Sequence, residues 1–334
     1  TQTYTVSFEY EVSPKKALYF LDHQIWTQGQ GKYTSHWLPS FDDVNEKVIF
    51  KLSIKYPDNF RAISNGILKN SNHKTNGYEL GFYISNFEMC KPMSSYLVML
   101  AVGDFTVFKS ESKSEIPLEN YLRKQDSIYF KSTYKSSDSI FNFLEKEIGF
   151  DYPWKIYRNI PVKDFLYAGM ENTTSTLFAQ DFVVDAVGVN DKNYVNVNAH
   201  ELAHQWFGDL VTAKSGKHHW LQEGFATYYA LLAEKAIFGD DYFNYQLYKN
   251  ALFLDRNSKT DTIPILNKNA SSYSFYQKGA WALHYIREEV GVAVFQKIVS
   301  SYLKKYQYRN VETQDFLNEI KLYSNFDTEK FQKA

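Results

Sequence analysis

Two histidines and a glutamate stand within five positions in NAHELAHQWFGDL, residues 198–210. On a helix, side chains four apart share a face, so His200 and His204 can present their imidazoles to one ion. Zinc takes nitrogen ligands readily, and a catalytic zinc keeps three protein ligands and leaves the fourth position to water. Glu201, one residue on, can reach such a water without binding the metal. The competing reading is a surface helix with two incidental histidines. Leu202, Ala203, Trp206 and Phe207 argue against it, because they predict a buried helix, where unpartnered imidazoles are costly.

A third ligand has to come from another element. HHWLQEGFATYY (218–229) offers Glu223, with eighteen residues between it and His204, a span that suits a loop returning a second helix across the first. Set among Trp220, Leu221 and Phe225, its carboxylate is satisfied as a ligand. Otherwise it is a helix-start glutamate favoured by the macrodipole. His218 and His219 are adjacent and point in different directions, which reads as loop residues or outer support and not as ligands. Asp209, after Gly208, is either a local backbone cap or a partner of a ligand histidine.

The elements that must position these groups follow from periodicity. Up to about residue 112 the pattern is β: YTVSFEYEV (4–12), KVIFKLSIKYP (47–57), YELGFYIS (78–85) and SYLVMLAVGDFTVF (95–108) are rich in β-branched and aromatic residues, with PDN, SNG and KTNG as turns between them. This predicts an antiparallel sheet or sandwich. The polar KSESKSE (109–115) marks a boundary. Beyond it, SDSIFNFLEKEIGF has helical spacing, with Ile140, Phe143, Leu144 and Ile148 on one face and Gly149 as a stop. Further helices are expected over roughly 197–207, ending at Gly208, and 220–238, with Phe225, Tyr229 and Leu232 on one face and Gly239 closing it. From KGAWALHYIREEV onward the chain reads helical. The fold class is therefore α+β.

Composition bounds the rest. A chain of 334 residues has room for two domains, and 44 % hydrophobic with 18 % aromatic residues excludes disorder. A net charge of -1 gives no reason to expect nucleic acid or an anionic membrane as partner. The single cysteine, Cys90 in FEMCKPM, cannot form an intramolecular disulfide and reads as a buried core thiol. No apolar run reaches membrane-spanning length, and the chain opens on a strand-like alternation instead of a leader. A soluble protein, cytoplasmic or exported, is expected; oligomeric state is left open.

The His200, His204 and Glu223 spacing resembles the gluzincin metallopeptidases. Upstream, YAGMENTTSTLF (167–178) is similar to the exopeptidase signature of the aminopeptidase N and leukotriene hydrolase family. Downstream, FYQKGAWALHYI (275–286) resembles that family's tyrosine segment, and TQGQGKYTSHWLPSFDD (27–43) its stretch that lends a polar residue to the substrate amine. The resemblance implies an N-terminal β domain over 1–112, without its first strands, and a thermolysin-like catalytic domain over 113–334. The family's C-terminal helical domain is expected to be absent.

It also implies roles. Tyr276 becomes the donor to the tetrahedral oxyanion, although among 27 tyrosines the residues alone favour a core aromatic. Glu171 becomes the carboxylate that meets the substrate α-ammonium, and Gln30 adds a neutral hydrogen bond where the family often has glutamate. Ala168, Gly169, Met170 and Asn172 complete the substrate-binding set, Gly169 by letting the backbone approach an extended substrate; the competing reading of Asn172 and Gln30 is as ordinary turn residues. The expectation is an aminopeptidase with one zinc per chain, acting on peptides with a free N-terminal amine. Its competitors are a zinc endopeptidase and a truncated, inactive peptide-binding fragment.

Overall fold

Alternation builds the first part of the fold. In the strand Lys51–Pro57, Leu52, Ile54 and Tyr56 turn inward while Lys51, Ser53 and Lys55 face solvent. The computed structural model describes residues 3–21, 23–75 and 81–333. Lys51–Pro57, Phe82–Glu88 and Ile67–Lys74 form an antiparallel three-stranded sheet, in that order. A second antiparallel sheet runs Leu18–Leu21, Gln24–Thr27, Leu100–Gly103, Arg61–Ser64. Tyr56 and Phe87 of the first sheet pack on Ala62 and Val102 of the second, which makes the expected sandwich. Part of the KTNG turn and the start of YELGFYIS lie outside the described residues.

Two expectations for this part are corrected. Residues 3–14 form no strand, although Val6, Phe8, Tyr10 and Val12 alternate as a strand would. Periodicity specifies faces, but a strand exists only where another strand takes its hydrogen bonds, and no described strand pairs here. Cys90 is exposed, not a core thiol. It lies between Phe82–Glu88 and the short strand Met93–Ser94, and its buried neighbours Met89 and Met93 take the inward positions.

The polar stretch 109–115 leads into the turn of a hairpin. Phe105–Glu111 pairs antiparallel with Pro117–Arg123, and both belong to a mixed sheet that continues through Tyr157–Val162 and Ser175–Ala179 to the edge strand Gly169–Met170. The division near residue 112 therefore falls inside one hairpin. The helix Ser137–Ile148 ends where Gly149 takes the left-handed conformation, φ 71°. Its buried face carries Ile140, Phe141, Leu144 and Ile148; Phe143 is only partly covered.

The motif helix Val195–His204 packs against the long helix Trp220–Phe238. The long helix is buried on nearly every side from Trp220 to Glu234, which makes it the axis of the domain instead of a one-faced surface helix. Asp240–Asn257, Gly279–Val290, Val292–Tyr306, Thr313–Tyr323 and Thr328–Lys333 complete the helices. Trp206, Phe207, Phe225, Phe295 and Phe316 are fully buried around the axis, each contributing about 1.5–3 kcal/mol by burial. A short parallel pair, Val211–Ala213 with Arg309–Val311, ties the segment after the motif helix to the C-terminal helices. Among the described residues no helix is long and apolar enough to cross a membrane.

Candidate metal centre

One helical turn separates His200 from His204, and their Nε2 atoms stand 3.1 Å apart. The helix crossing brings in Glu223, whose Oε2 lies 3.3 Å from His200 Nε2 and 3.2 Å from His204 Nε2. That oxygen is buried with no hydrogen-bond partner among the described residues. Three ligand atoms at such separations fit one face of a tetrahedron around zinc, where bonds of about 2.0–2.1 Å place neighbouring donors about 3.3 Å apart. Two imidazoles and a carboxylate are also the donor set of a catalytic zinc.

The surroundings fix the ligands for this purpose. His204 Nδ1 is 2.8 Å from the Phe207 carbonyl, so its N–H donates there and leaves the Nε2 lone pair for the metal. Burial holds the His200 imidazole below its ordinary pKa, in the neutral form that coordinates. His219 Nε2 lies 3.2 Å from Glu223 Oε1 and steadies that ligand from outside, while His218 turns away to Thr313. Asp209 is buried, but the orienting partner of His204 is the Phe207 carbonyl.

Glu201 is buried beside the triad, and desolvation pushes its carboxyl well above the usual carboxylate range. Gly169 has a firmer reason to be glycine than approach to substrate: a Cβ there would overlap the Glu201 carboxylate. Tyr276 sits in a π-helical turn, Ser274–Lys278, with its ring parallel to the His200 imidazole at 5.7 Å between centroids. Burial raises its pKa above the ordinary tyrosine value, with Glu223 next in effect, so the hydroxyl stays a donor. Gly279 closes that turn against Gly224, where an added Cβ would come within 2.9 Å of the Gly224 Cα. One backbone-to-backbone crossing thus sets Glu223 relative to Tyr276.

A cavity of about 390 Å³ joins these groups, with Gln30, Ala168, Gly169 and Glu171 on its wall together with the triad, Glu201 and Tyr276. Glu171 is 3 % exposed, its Oε1 accepts from the Tyr96 hydroxyl at 3.2 Å, and it lies close enough to Glu201 and His204 for one atom of each to fall within 4.8 Å of the others. Met170 and Asn172 are not on the wall. Gly169 and Glu171 line the cavity, whereas Met170 packs against Tyr96 and Leu97 and the Asn172 side-chain amide donates to the Leu97 carbonyl.

Residues 132–334 match the sequence pattern of the peptidase family M1 domain, and residues 3–97 that of the peptidase M1 N-terminal domain. The chain belongs to peptidase family M1. It is similar to the leucyl aminopeptidase of Saccharolobus solfataricus, 31% identical over 94% of this chain and 42% of that protein. It is also similar to the glutamyl aminopeptidase of Mus musculus, 28% identical over 86% of this chain and 31% of that protein. The chain thus spans 31% to 42% of the length of these relatives. The fold is shared with an M1 zinc metallopeptidase from Deinococcus radiodurans, at a TM-score of 0.76 and 22% identity, over 97% of this chain and 72% of that one.

Several M1 wall residues escaped the sequence reading: Tyr167, Asn196, Val197, Thr227 and Gln277. Asn196 stands four residues before His200 and Thr227 four after Glu223, so helical spacing from the ligands could have found both. Tyr96, which touches Glu171 from the N-terminal part of the chain, carries no such signal. A larger groove of about 1230 Å³, lined by Ile263, Leu266, Trp281, Tyr285 and Phe326 among others, contains none of His200, His204 and Glu223.

Proposed function

We propose that this M1 chain is a zinc aminopeptidase that removes the N-terminal residue from peptides with a free amine. The observation that carries the reading is a second buried carboxylate, Glu171, on the same cavity wall as the triad and Glu201. A zinc hydrolase needs one carboxylate for proton transfer; another at a fixed offset from the metal can bind an α-ammonium and so measure the end of a chain. An endopeptidase has no use for it. The aminopeptidase names of the relatives agree with this reading.

His200, His204 and Glu223 would hold one zinc per chain. Bound there, zinc supplies the Lewis acidity that brings the pKa of water from about 15.7 to near 7. Glu201 takes the proton from the attacking water and returns it to the leaving amine, so peptide and water become an amino acid and a shortened peptide. The Tyr276 hydroxyl donates to the carbonyl oxygen as it becomes an oxyanion. Glu171 pairs with the α-ammonium, and Gln30 adds an uncharged hydrogen bond from the N-terminal part of the chain. We read the chain as two domains, a β-rich part that contributes Gln30 and a catalytic part that contributes the rest.

Zinc-loaded protein should cleave free peptides and barely act on the same peptides carrying an N-acetyl group. Glu171→Ala should keep its zinc and lose roughly 30-fold to several thousand-fold in kcat/KM on free peptides, the factor for 2–5 kcal/mol of a broken charge pair. Equal cleavage of free and acetylated peptides would leave only a zinc hydrolase.

A further inference from the structure

Glu171 is useful as a ruler only if its distance from the metal does not drift; the Tyr96 hydroxyl holds its carboxylate, and its backbone needs a hold of its own. What holds its backbone is Gln205, the residue after the ligand His204. Gln205 is fully buried; its Nε2 donates to the Glu171 carbonyl at 3.1 Å, and its Oε1 accepts from the Thr174 amide at 2.8 Å. One side chain at the end of the motif helix thus grips the segment that carries Glu171 at two points.

The turn it grips is strained. The Asn172 carbonyl accepts from the Ser175 amide at 2.8 Å, and inside that turn Thr174 has φ 68°. A β-branched residue in the left-handed region persists only where its surroundings over-determine it. Besides Gln205, the Gly66 amide donates to Thr174 Oγ1 at 2.8 Å, and the Asn65 amide donates to the Thr173 carbonyl at 2.7 Å. The anchor is therefore suspended between the metal-bearing helix and a turn of the N-terminal sheets.

We propose that Gln205 is a positioning residue that sets the spacing between the metal triad and the amine-binding carboxylate, holding Glu171 from one side while Asn65 and Gly66 hold the adjoining turn from the other. The proposal rests on the aminopeptidase reading. It differs from a packing role because a residue acting through Glu171 loses its effect when the Glu171 carboxylate is gone.

The test is a double-mutant cycle on the zinc-loaded full chain, with the best-cleaved member of a panel of aminoacyl p-nitroanilides as probe. Gln205→Met, similar in length and without hydrogen bonds, should keep its zinc and lose about 10- to 100-fold in kcat/KM, the usual cost of a misplaced reacting bond. In a Glu171→Ala background the same substitution should cost little more. Gln205→Leu, which also lacks both hydrogen bonds, gives the same pattern if the Met variant does not fold. Equal losses in both backgrounds, loss of zinc with activity, or an unaffected Gln205→Met would overturn the proposal while leaving the aminopeptidase reading intact. If Glu171→Ala is itself silent, both fall together.

Discussion

The metal side and the amine side of the cavity are built in different ways. On the metal side, two ligands are one turn apart on a single helix and the third enters at the adjoining crossing, through elements that make up the middle of the core. On the amine side, Glu171 lies at a sheet edge, Gln30 comes from the N-terminal part, and the turn beside them is held by groups 108 residues away in sequence. The metal triad follows from two packed helices. The proposed amine-binding side comes together only when distant segments are assembled, so it should be the easier one to perturb without losing the metal.

Substitutions can break that comparison, beginning with the metal side. His204→Ala removes a ligand from a site with only three, and metal analysis should find stoichiometric zinc lost together with turnover. Glu201→Gln, three residues away, should keep the zinc and lose about 10²–10⁴ in kcat, the range for a general base. Retained zinc in the first, or near-normal turnover in the second, would dissolve the assigned roles. Tyr276→Phe removes one hydroxyl, so kcat should fall by about 10²–10³ with KM little changed. A raised KM at constant kcat would make Tyr276 a binding residue.

A smaller effect sharpens the contrast by weakening the clamp between the two parts of the chain. Arg158, 3 % exposed, donates to the Ser64 and Gly66 carbonyls and to Glu119 Oε2. Burial acts to raise the Glu119 pKa, but the Arg158 charge and the hydrogen bonds from Lys109, Arg158 and Tyr121 together outweigh it and bring it to about 2 from 4.5. A carboxyl held below its unfolded value stabilises the fold fully above about pH 4.5, and that contribution, on the order of 3 kcal/mol, is lost as pH falls toward 2. Melting temperature should therefore drop between pH 4.5 and 2 more steeply in the parent than in Glu119→Gln. Identical slopes would show that the clamp carries no such linkage.

Particular residues show what was legible. His200, His204 and Glu223 could be read because helical spacing turns sequence distance directly into spatial distance. The long helix over 220–238 could be read because its apolar run and Gly239 stop are local signals. The alternation in 4–12 misled because a strand needs a partner that periodicity does not name, and Cys90 because an apolar neighbourhood in sequence does not say which side chains turn inward. Met170 and Asn172 belong to the signature but lie behind the cavity wall, where Met170 packs on Tyr96 and Leu97 and Asn172 bonds the Leu97 carbonyl.

By itself, then, the sequence determined the groups on offer: two imidazoles and a carboxylate that can meet, a neighbouring carboxylate, the helices that carry them, and a β-rich part followed by a helical one. These rest on short-range geometry, which repeats every few residues. Only the tertiary structure decided that Glu171 faces the same cavity as the triad, that Gly169 makes room for Glu201, that Gly224 and Gly279 bring two helices into backbone contact, and that Gln205 grips the amine side. Each of these depends on which distant segments fill the same space, and that is settled by packing the whole chain at once.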